Sequence, residues 1–287
     1  MKDSRVEALA QILVRYSTKV KPGDVCVIQG TTTGEPLIQA VYEEILRAGG
    51  LPVMQLTTEA AAAAFFELAN DDQLDWVQPP AEWTAENADV RIVVSGAGAA
   101  GTAIVTLLLA AGAHDVVVVD REGALAAGDE SLSRAHVELA AATNPRRATG
   151  SLRDVLVDAD VFVGVSAPGI LDAEWIPTMA PKPVVFALAN PDPEVDPAEA
   201  DKYAAVVASG RSDYPNQINN VLAFPGVFRG LLDAGASEVT IDMLLRAAQA
   251  IADTVKPDEL HPAFIIPSVF HPDVTKRVAS AISGREA

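Results

Sequence analysis

A short apolar segment that runs into three spaced glycines constrains the fold of this chain more than any other feature. Residues 91–95 are mostly apolar, and residues 96–101 read Gly-Ala-Gly-Ala-Ala-Gly. The apolar segment is typical of a buried parallel strand, and the residues after the glycines favour a helix. In such a unit Gly96 permits the tight turn, Gly98 lets the backbone approach a pyrophosphate, and Gly101 lets helix and strand pack closely.

An acidic residue stands where a second strand is predicted to end. Residues 116–119 are all valine and run into Asp120, 19 residues after Gly101. An acid at this place can hold the ribose hydroxyls of NAD, while the free N–H groups at the start of the helix suit a pyrophosphate. The alternative is a glycine-rich turn in an α/β sheet. Strand, helix and acid together favour a dinucleotide site.

Composition and charge limit the partners of the chain. It has 287 residues, 49% of them hydrophobic, and a formal net charge of −18. This length fits one or two folded domains, and the acidity argues against nucleic acid or a membrane surface as a partner. No apolar stretch reaches the roughly 18 residues that span a bilayer, and the N-terminus lacks a signal peptide's apolar core. We therefore expect a cytoplasmic protein.

Residues 1–88 are predicted to form a small α/β unit that ends in a polar, proline-bearing linker at 79–88, where Trp83 is expected to pack rather than bind a ligand. Cys26 is the single cysteine, lies in an apolar run and is expected to be buried. Two strands leave an exposed sheet edge, which favours self-association into a homo-oligomer. The predicted elements are helices over residues 6–16, 36–48 and 59–70 and strands over residues 25–28 and 51–56.

Residues 89–287 alternate apolar runs with helical patterns. This alternation predicts an α/β fold, a Rossmann-like doubly wound parallel sheet, with the N-terminal unit as a smaller addition. The expected strands cover residues 92–95, 116–119, 161–165, 184–188 and 205–208. The expected helices cover residues 133–143, a short stretch after Ser151, 172–179, 196–203, 239–255 and a closing segment after Pro272.

Polar and turn-forming residues follow the predicted strands, at the sheet edge where ligands bind in such folds. Ser166 and Ala167 follow the third strand, and Asn190 follows the fourth. Asn190 suits a ribose or a carboxylate, but an asparagine also starts turns before proline. Arg211 can face a carboxylate or pair with a surface acid, and the composition favours the surface pair. An amide cluster at Asn216, Asn219 and Asn220 suits a polar substrate wall, although amides also cap helices.

Four segments of the second unit resemble the NAD-binding domain of bacterial malic enzymes. They are residues 92–101, 164–169 (Gly-Val-Ser-Ala-Pro-Gly), 186–191 (Phe-Ala-Leu-Ala-Asn-Pro) and 209–226, and Ile-Pro-Ser at 266–268 also fits. The resemblance implies oxidative decarboxylation of malate to pyruvate and CO2 with NAD or NADP and a divalent metal, Mg²⁺ or Mn²⁺. It thus implies NAD(P) and a small dicarboxylate as the ligands.

The resemblance also implies roles for individual residues. Asn190 and Asn220 are expected to contact the substrate or the nicotinamide region. Asp120 favours NAD, whereas the neighbouring Arg121 leaves NADP open because arginine can accept a 2′-phosphate. The predicted cofactor-binding residues are Gly96, Gly98, Ala99, Ala100, Gly101, Asp120, Arg121, Ser166, Ala167 and Asn190.

The first unit resembles a different family. Residues 16–24, 35–37, 42–44 and 47–50 are similar to the opening segment of the thermophilic metallo-aminopeptidases, over roughly the first 80 residues. That family carries its Glu, His and Asp metal ligands in a later domain, and nothing after residue 88 resembles that domain. We therefore assign this segment no catalytic residue.

The malic enzyme resemblance places a tyrosine acid, a lysine base and the metal-binding acids in an N-terminal domain that has no counterpart in this sequence. Lys182, Lys202 and His136 lie in ordinary surface contexts, and no two histidines are spaced as a helical metal pair. We therefore expect no catalytic or metal-binding residue here. Three hypotheses follow: a malic-enzyme-type oxidoreductase completed by a partner, a non-catalytic NAD-binding or regulatory module, and a peptidase-related protein.

Overall fold

The computed structural model describes residues 4–18, 20–58, 60–61, 64, 68, 90–129 and 132–284. The chain forms two compact units, Met1–Trp76 and Val77–Ala287. The helix expected over residues 59–70 lies largely outside the described residues, and the predicted linker with Trp83 lies wholly outside them.

The first unit contains the two strands that the sequence predicted, and they pair in a parallel sheet. The strands pair from Val25 opposite Leu51. The helix between them has Pro36 in its first turn and ends at Gly49, whose φ of +85° suits glycine. The elements are α1 (Ser4–Gln11), a π-helical segment (Ile12–Ser17), β1 (Val25–Thr31), α2 (Glu35–Ala48) and β2 (Leu51–Thr57).

A small apolar core joins these elements. Val14, Ile28, Ile38 and Ile45 are buried together. Cys26 packs at the margin of this cluster and is only half-buried, so the expectation of a buried core thiol was wrong. The reason is that Cys26 lies near the start of β1, beside the exposed Val25.

The second unit contains a five-stranded sheet in which all strands are parallel, as predicted. The order across the sheet is β4-β3-β5-β6-β7. The connections diverge between β3 and β5, because the chain runs from β3 to β4 on one side and returns to β5 on the other. Such a divergence opens a crevice at the carboxyl ends of the two central strands. The strands are β3 (Arg91–Ser95), β4 (Asp115–Val119), β5 (Val161–Gly164), β6 (Val184–Ala187) and β7 (Val206–Ser209).

Alternate residues of the central strands enter two separate cores, one on each face of the sheet. Val93 and Phe162 belong to one core, while Val94 and Val163 belong to the other. A strand that is buried on both faces reads as a continuous apolar run, which explains why the sequence located these strands well. The helices between the strands are α3 (Ala99–Ala110), α4 (Arg134–Ala142), α5 (Leu152–Val155) and α6 (Pro197–Ala200).

Two predicted helices differ from those observed. The segment expected as a helix over residues 172–179 is a 3-10 helix, Ala173–Thr178, that contains Pro177. Proline removes a donor from an α-helix, which accounts for the change. The helix expected over residues 196–203 is shortened to α6.

Three further helices close the unit. Gly226 and Gly230 bring α7 so close to α9 that a Cβ on either would lie 2.5 Å from a Cβ of Val278 or Ile282. The sequence did not predict α7, although it located the other two. The helices are α7 (Phe224–Ala234), α8 (Ile241–Ala252) and α9 (Val274–Ser283). Among the described residues, no helix is both long and apolar enough to cross a bilayer.

Candidate dinucleotide site

The glycine turn after β3 is held tightly against its neighbours. Gly96 has a φ of +116°, and a Cβ there would lie 2.7 Å from the carbonyl oxygen of Val165. A Cβ on Gly101 would overlap the carbonyl oxygen of Gly96 and lie 2.9 Å from its carbonyl carbon. Each of these two positions therefore requires glycine, the first for its backbone angle and the second for lack of room.

Gly98 differs from the other two glycines. It caps α3 with a φ of −78°, and a Cβ there would meet nothing within 4 Å. Gly98, Ala99 and Ala100 are exposed, and no side chain caps the helix. The first-turn N–H groups of α3 therefore face open space, and a helix N-terminus of this kind attracts a phosphate group. The residues present fit a pyrophosphate.

Asp120 follows β4 at the same edge of the sheet. Its Oδ1 accepts a hydrogen bond from the Glu122 N–H at 2.8 Å, and its Oδ2 lies 3.4 Å from Nδ1 of His136. Its side chain keeps 19% of its surface exposed, and Arg121 beside it is exposed. The turn at Gly96 is bonded to the end of this strand, since Gly96 N donates to Val119 O at 2.8 Å. The glycine turn and the acid thus belong to one crevice.

The loops after β5 and β6 form the other side of the crevice. The hydroxyls of Ser166 and Ser95 lie 3.1 Å apart, which connects the β5 loop to the end of β3. Ser166 and Ala167 are exposed, as is Asn190, which precedes Pro191 through a cis peptide bond. All predicted cofactor-binding residues therefore lie at the carboxyl edge of the sheet, either in the segments that follow β3, β4, β5 and β6 or in the first turn of α3.

The three asparagines of the amide cluster have different surroundings in the structure. Asn216 is buried and structural: its Nδ2 donates to Val207 O and Pro262 O, and its Oδ1 accepts from Ile265 N. Asn219 accepts from Val221 N and caps a short 3-10 helix. Asn220 is exposed, unlike Asn216.

Arg211 makes the surface pair that its surroundings favoured. Its guanidinium bonds both oxygens of Asp213, at 2.9 and 2.5 Å, and lies 4.9 Å from the ring centroid of Tyr214.

The candidate bases lie away from the crevice or are already engaged. Lys182 precedes β6 and Lys202 precedes β7, so both lie at the amino edge of the sheet. Lys202 is also bonded to Glu199 at 2.5 Å. Only His136 reaches the carboxyl edge, where it faces Asp120. Within the described ranges, no group of three or more His, Cys, Asp and Glu side chains is placed to hold a metal ion.

One buried residue of the crevice was not predicted from the sequence. Glu194 is fully buried behind the β5 and β6 loops, and its carboxylate bonds the backbone of both. In the sequence it is one of 39 acidic residues, and only its position four residues after Asn190 marks it. A search confined to exposed polar residues overlooks a carboxylate that points inward.

These features define a dinucleotide-binding domain of the doubly wound α/β class. The chain belongs to the malic enzyme family: the model of the malic enzyme NAD-binding domain matches residues 83–286. A second family model, that of the thermophilic metalloprotease M29, matches residues 2–107. Both resemblances drawn from the sequence are thereby confirmed.

Individual relatives agree with this assignment. The chain is 53% identical over 194 residues to an NAD-dependent malic enzyme of Geobacillus stearothermophilus, covering 68% of this chain and 41% of that protein. It is 46% identical over 198 residues to a bifunctional malic/malolactic enzyme of Bacillus subtilis, covering 68% and 48%. It is 39% identical over 215 residues to an NADP-dependent malic enzyme of Escherichia coli, covering 68% and 28%. The matched part of the chain thus spans half or less of the length of these relatives.

Solved structures give the same fold. The NAD-dependent malic enzyme of Thermotoga maritima has a TM-score of 0.65 and 31% identity, with 98% of this chain and 89% of that chain covered. The malic enzyme of Pyrococcus horikoshii has a TM-score of 0.65 and 27% identity, with 98% and 80% covered.

Proposed function

We propose that residues 89–287 bind NAD at the carboxyl edge of the five-stranded sheet. The observation that carries the proposal is the uncapped start of α3, where Gly98 leaves open space beside free N–H groups. Gly96, Ala99, Ala100 and Gly101 complete the pyrophosphate cradle. Asp120 would take the ribose hydroxyls, and Ser166, Ala167 and Asn190 would face the nicotinamide half.

NAD is preferred over NADP in this proposal because of Asp120. A carboxylate accepts hydrogen bonds from ribose hydroxyls but repels a 2′-phosphate. Arg121 works in the opposite direction, since its exposed guanidinium can attract that phosphate. Among the relatives, the proteins of Geobacillus stearothermophilus and Escherichia coli are described as NAD-dependent and NADP-dependent, respectively.

We further propose that the domain serves the oxidative decarboxylation of malate, with Asn190 and Asn220 toward the substrate. The names of the relatives support this choice. The chemistry supplied by a bound NAD is acceptance of a hydride. The residues of this chain would orient the dinucleotide and the dicarboxylate. The hydroxyl proton needs a base. Among the candidates, Lys182 and Lys202 lie at the amino edge of the sheet and His136 is paired with Asp120, so malate oxidation would require a further domain or partner.

Calorimetric titration of the full chain with NAD and NADP tests cofactor binding. We expect saturable binding of both, with NAD tighter. Gly98→Val should abolish binding while the chain stays folded, because the added side chain enters open space. Asp120→Asn should reduce the ratio of the NAD affinity to the NADP affinity by about tenfold, which corresponds to about 1.4 kcal/mol of binding free energy. Glu122→Gln is the matched control, since only its backbone N–H bonds Asp120. A folded chain that binds neither cofactor would refute the proposal.

A further inference from the structure

Glu194 joins the two loops that would face the nicotinamide half of the cofactor. Its side chain is 0% exposed. One carboxylate oxygen accepts from Ser166 N in the β5 loop at 2.8 Å, and the other accepts from Ala189 N in the β6 loop at 2.9 Å. Both oxygens are thus used, each by a different loop.

The surrounding backbone is shaped to admit this side chain. A Cβ on Gly164, the last residue of β5, would lie 2.7 Å from Cγ of Glu194. The main chain beside Glu194 also bonds the β5 loop, since Gly169 N donates to Pro193 O at 3.1 Å and Leu171 N donates to Glu194 O at 3.0 Å. Glycine at position 164 therefore makes the room that the buried carboxylate occupies.

Burying a carboxylate is costly unless strong hydrogen bonds offset the loss of water. Bonds from backbone N–H groups to an ionised carboxylate are stronger than neutral ones, and Glu194 makes one to each loop. Only a group with two acceptor atoms can hold two donors that approach from different loops. A glutamine presents one acceptor and one donor, so one of the two N–H groups would face another donor.

We infer that Glu194 is a positioning residue that locks the β5 loop, which carries Ser166, and the β6 loop, which carries Asn190, into one rigid wall of the dinucleotide crevice. The inference rests on the proposed function for one part, the assignment of this wall to a cofactor site. The locking itself depends only on the two hydrogen bonds. Glu194 is buried behind the wall and acts through the loops, not by touching the cofactor.

Glu194→Gln in the full chain tests the inference, with Asp115→Asn as a matched control. Asp115 is also 0% exposed, but it begins β4 at the opposite edge of the sheet, where Arg91 and Arg146 bond it at 3.0 and 2.8 Å. Both variants should lower the melting temperature. Below their melting temperatures, NAD affinity should fall by about tenfold or more in Glu194→Gln and stay unchanged in Asp115→Asn. Equal affinity losses in the two variants would overturn the inference.

Hydrogen exchange without any cofactor separates this inference from the proposed function. In Glu194→Gln the amides of residues 165–167 and 169 and of residues 188–190 and 192 should exchange faster together, by about tenfold or more, while β3 keeps its protection. Gly164→Ala, which displaces the carboxylate without removing it, should accelerate the same two loops. If the wild-type chain binds no dinucleotide, the proposed function fails and the exchange data still decide the role of Glu194. Unaltered hydrogen exchange of the two loops in folded Glu194→Gln would refute the positioning role of Glu194.

Discussion

At the residue scale, the three glycines of the turn have different physical roles. Gly96 supplies a positive φ, and Gly101 supplies the absence of a Cβ against the backbone of Gly96. Gly98 needs neither, because its φ is negative and its surroundings are open. Spacing alone cannot distinguish these cases. Of these three glycines, Gly98 is thus the one that can be replaced with little structural cost, which makes it the informative position for ligand binding.

Gly101→Ala should destabilise the second unit, whereas Gly98→Ala should not. Helix propensity favours alanine over glycine by about 1 kcal/mol, but overpacking against backbone costs about 1–3 kcal/mol and often more at so close an approach. We expect a net loss for Gly101→Ala and a change below about 1 kcal/mol for Gly98→Ala. Urea denaturation of both variants measures the difference. A Gly101→Ala chain as stable as wild type would contradict the contact with Gly96.

Asparagines show the limit of sequence reasoning at this scale. The sequence placed Asn216, Asn219 and Asn220 together as an amide cluster, yet three-dimensional contacts give them different roles. Asn216 forms hydrogen bonds with Pro262 and Ile265, which lie 46 and 49 residues further along the chain. No local sequence pattern encodes such a contact. Glu194 is a similar case, because one of its two N–H donors, Ser166 N, lies 28 residues away in the sequence.

At the element scale, the strands of the second unit were predictable because both of their faces are buried. The run Val116–Val119 is apolar at every position, and each of its residues enters a core. Helix α7 was missed for the opposite reason. It contains Gly226 and Gly230, both poor helix formers, and it is stabilised by packing on α9. Tertiary contact here overrides local propensity, and its partner lies about 50 residues later in the chain.

Gly230→Ala should separate α7 from α9. A Cβ at this position would lie 2.5 Å from Cβ of Ile282 and 2.7 Å from the carbonyl oxygen of Ala279. We expect a loss of about 1–3 kcal/mol in the free energy of unfolding, despite the better helix propensity of alanine. Leu232→Ala is the control on the same helix, because Leu232 is 76% exposed and should change stability by less than about 0.5 kcal/mol. Equal effects of the two substitutions would refute the close packing.

In the first unit, Glu44 connects α2 to the segment that precedes β1. It is buried and bonded to the guanidinium of Arg15 and, at 3.0 Å, to that of Arg47. The hydrogen bond from Arg15, supported by Arg47, holds the pKa of Glu44 below its ordinary value. A lowered folded-state pKa gives stability that is present above the ordinary glutamate pKa of about 4.3 and is lost as the pH falls through the lowered value.

Glu44→Gln should therefore destabilise the first unit at about pH 7, and the difference from wild type should shrink toward about pH 3. The thiol of Cys26, the single cysteine, lies in β1 and reports opening of this unit within the full chain. The urea midpoint for its reaction with a dipyridyl disulfide, a reagent that works in acid, is the measurement. Glu43→Gln, on the same helix and also bonded to Arg47, should show a smaller effect. A difference that does not depend on pH would contradict the role given to Glu44.

At the scale of the whole molecule, the chain combines matches to two families. The malic enzyme domain covers residues 83–286, and the metalloprotease match covers residues 2–107. The sequence predicted both from local motifs, because strand-end motifs such as Ala-Asn-Pro occupy fixed places in a sheet. It could not predict which groups converge on the crevice. The structure places Lys182 and Lys202 at the amino edge and only His136 near the carboxyl edge.

This placement predicts the behaviour of the full chain toward malate. With NAD, malate and Mn²⁺ supplied, we expect no NADH above the blank, although NAD itself should bind. Hydride transfer from an alcohol carbon requires that the hydroxyl proton leave to a base. Lys182 and Lys202 lie at the wrong edge of the sheet to take it, and His136 is engaged with the carboxylate of Asp120. Absorbance of NADH measured over hours, beside calorimetry on the same sample, separates failure of chemistry from failure of binding. Malate-dependent NADH formation would place a working base within the chain. His136→Ala would then identify it, since loss of turnover with retained NAD binding would assign His136 that role.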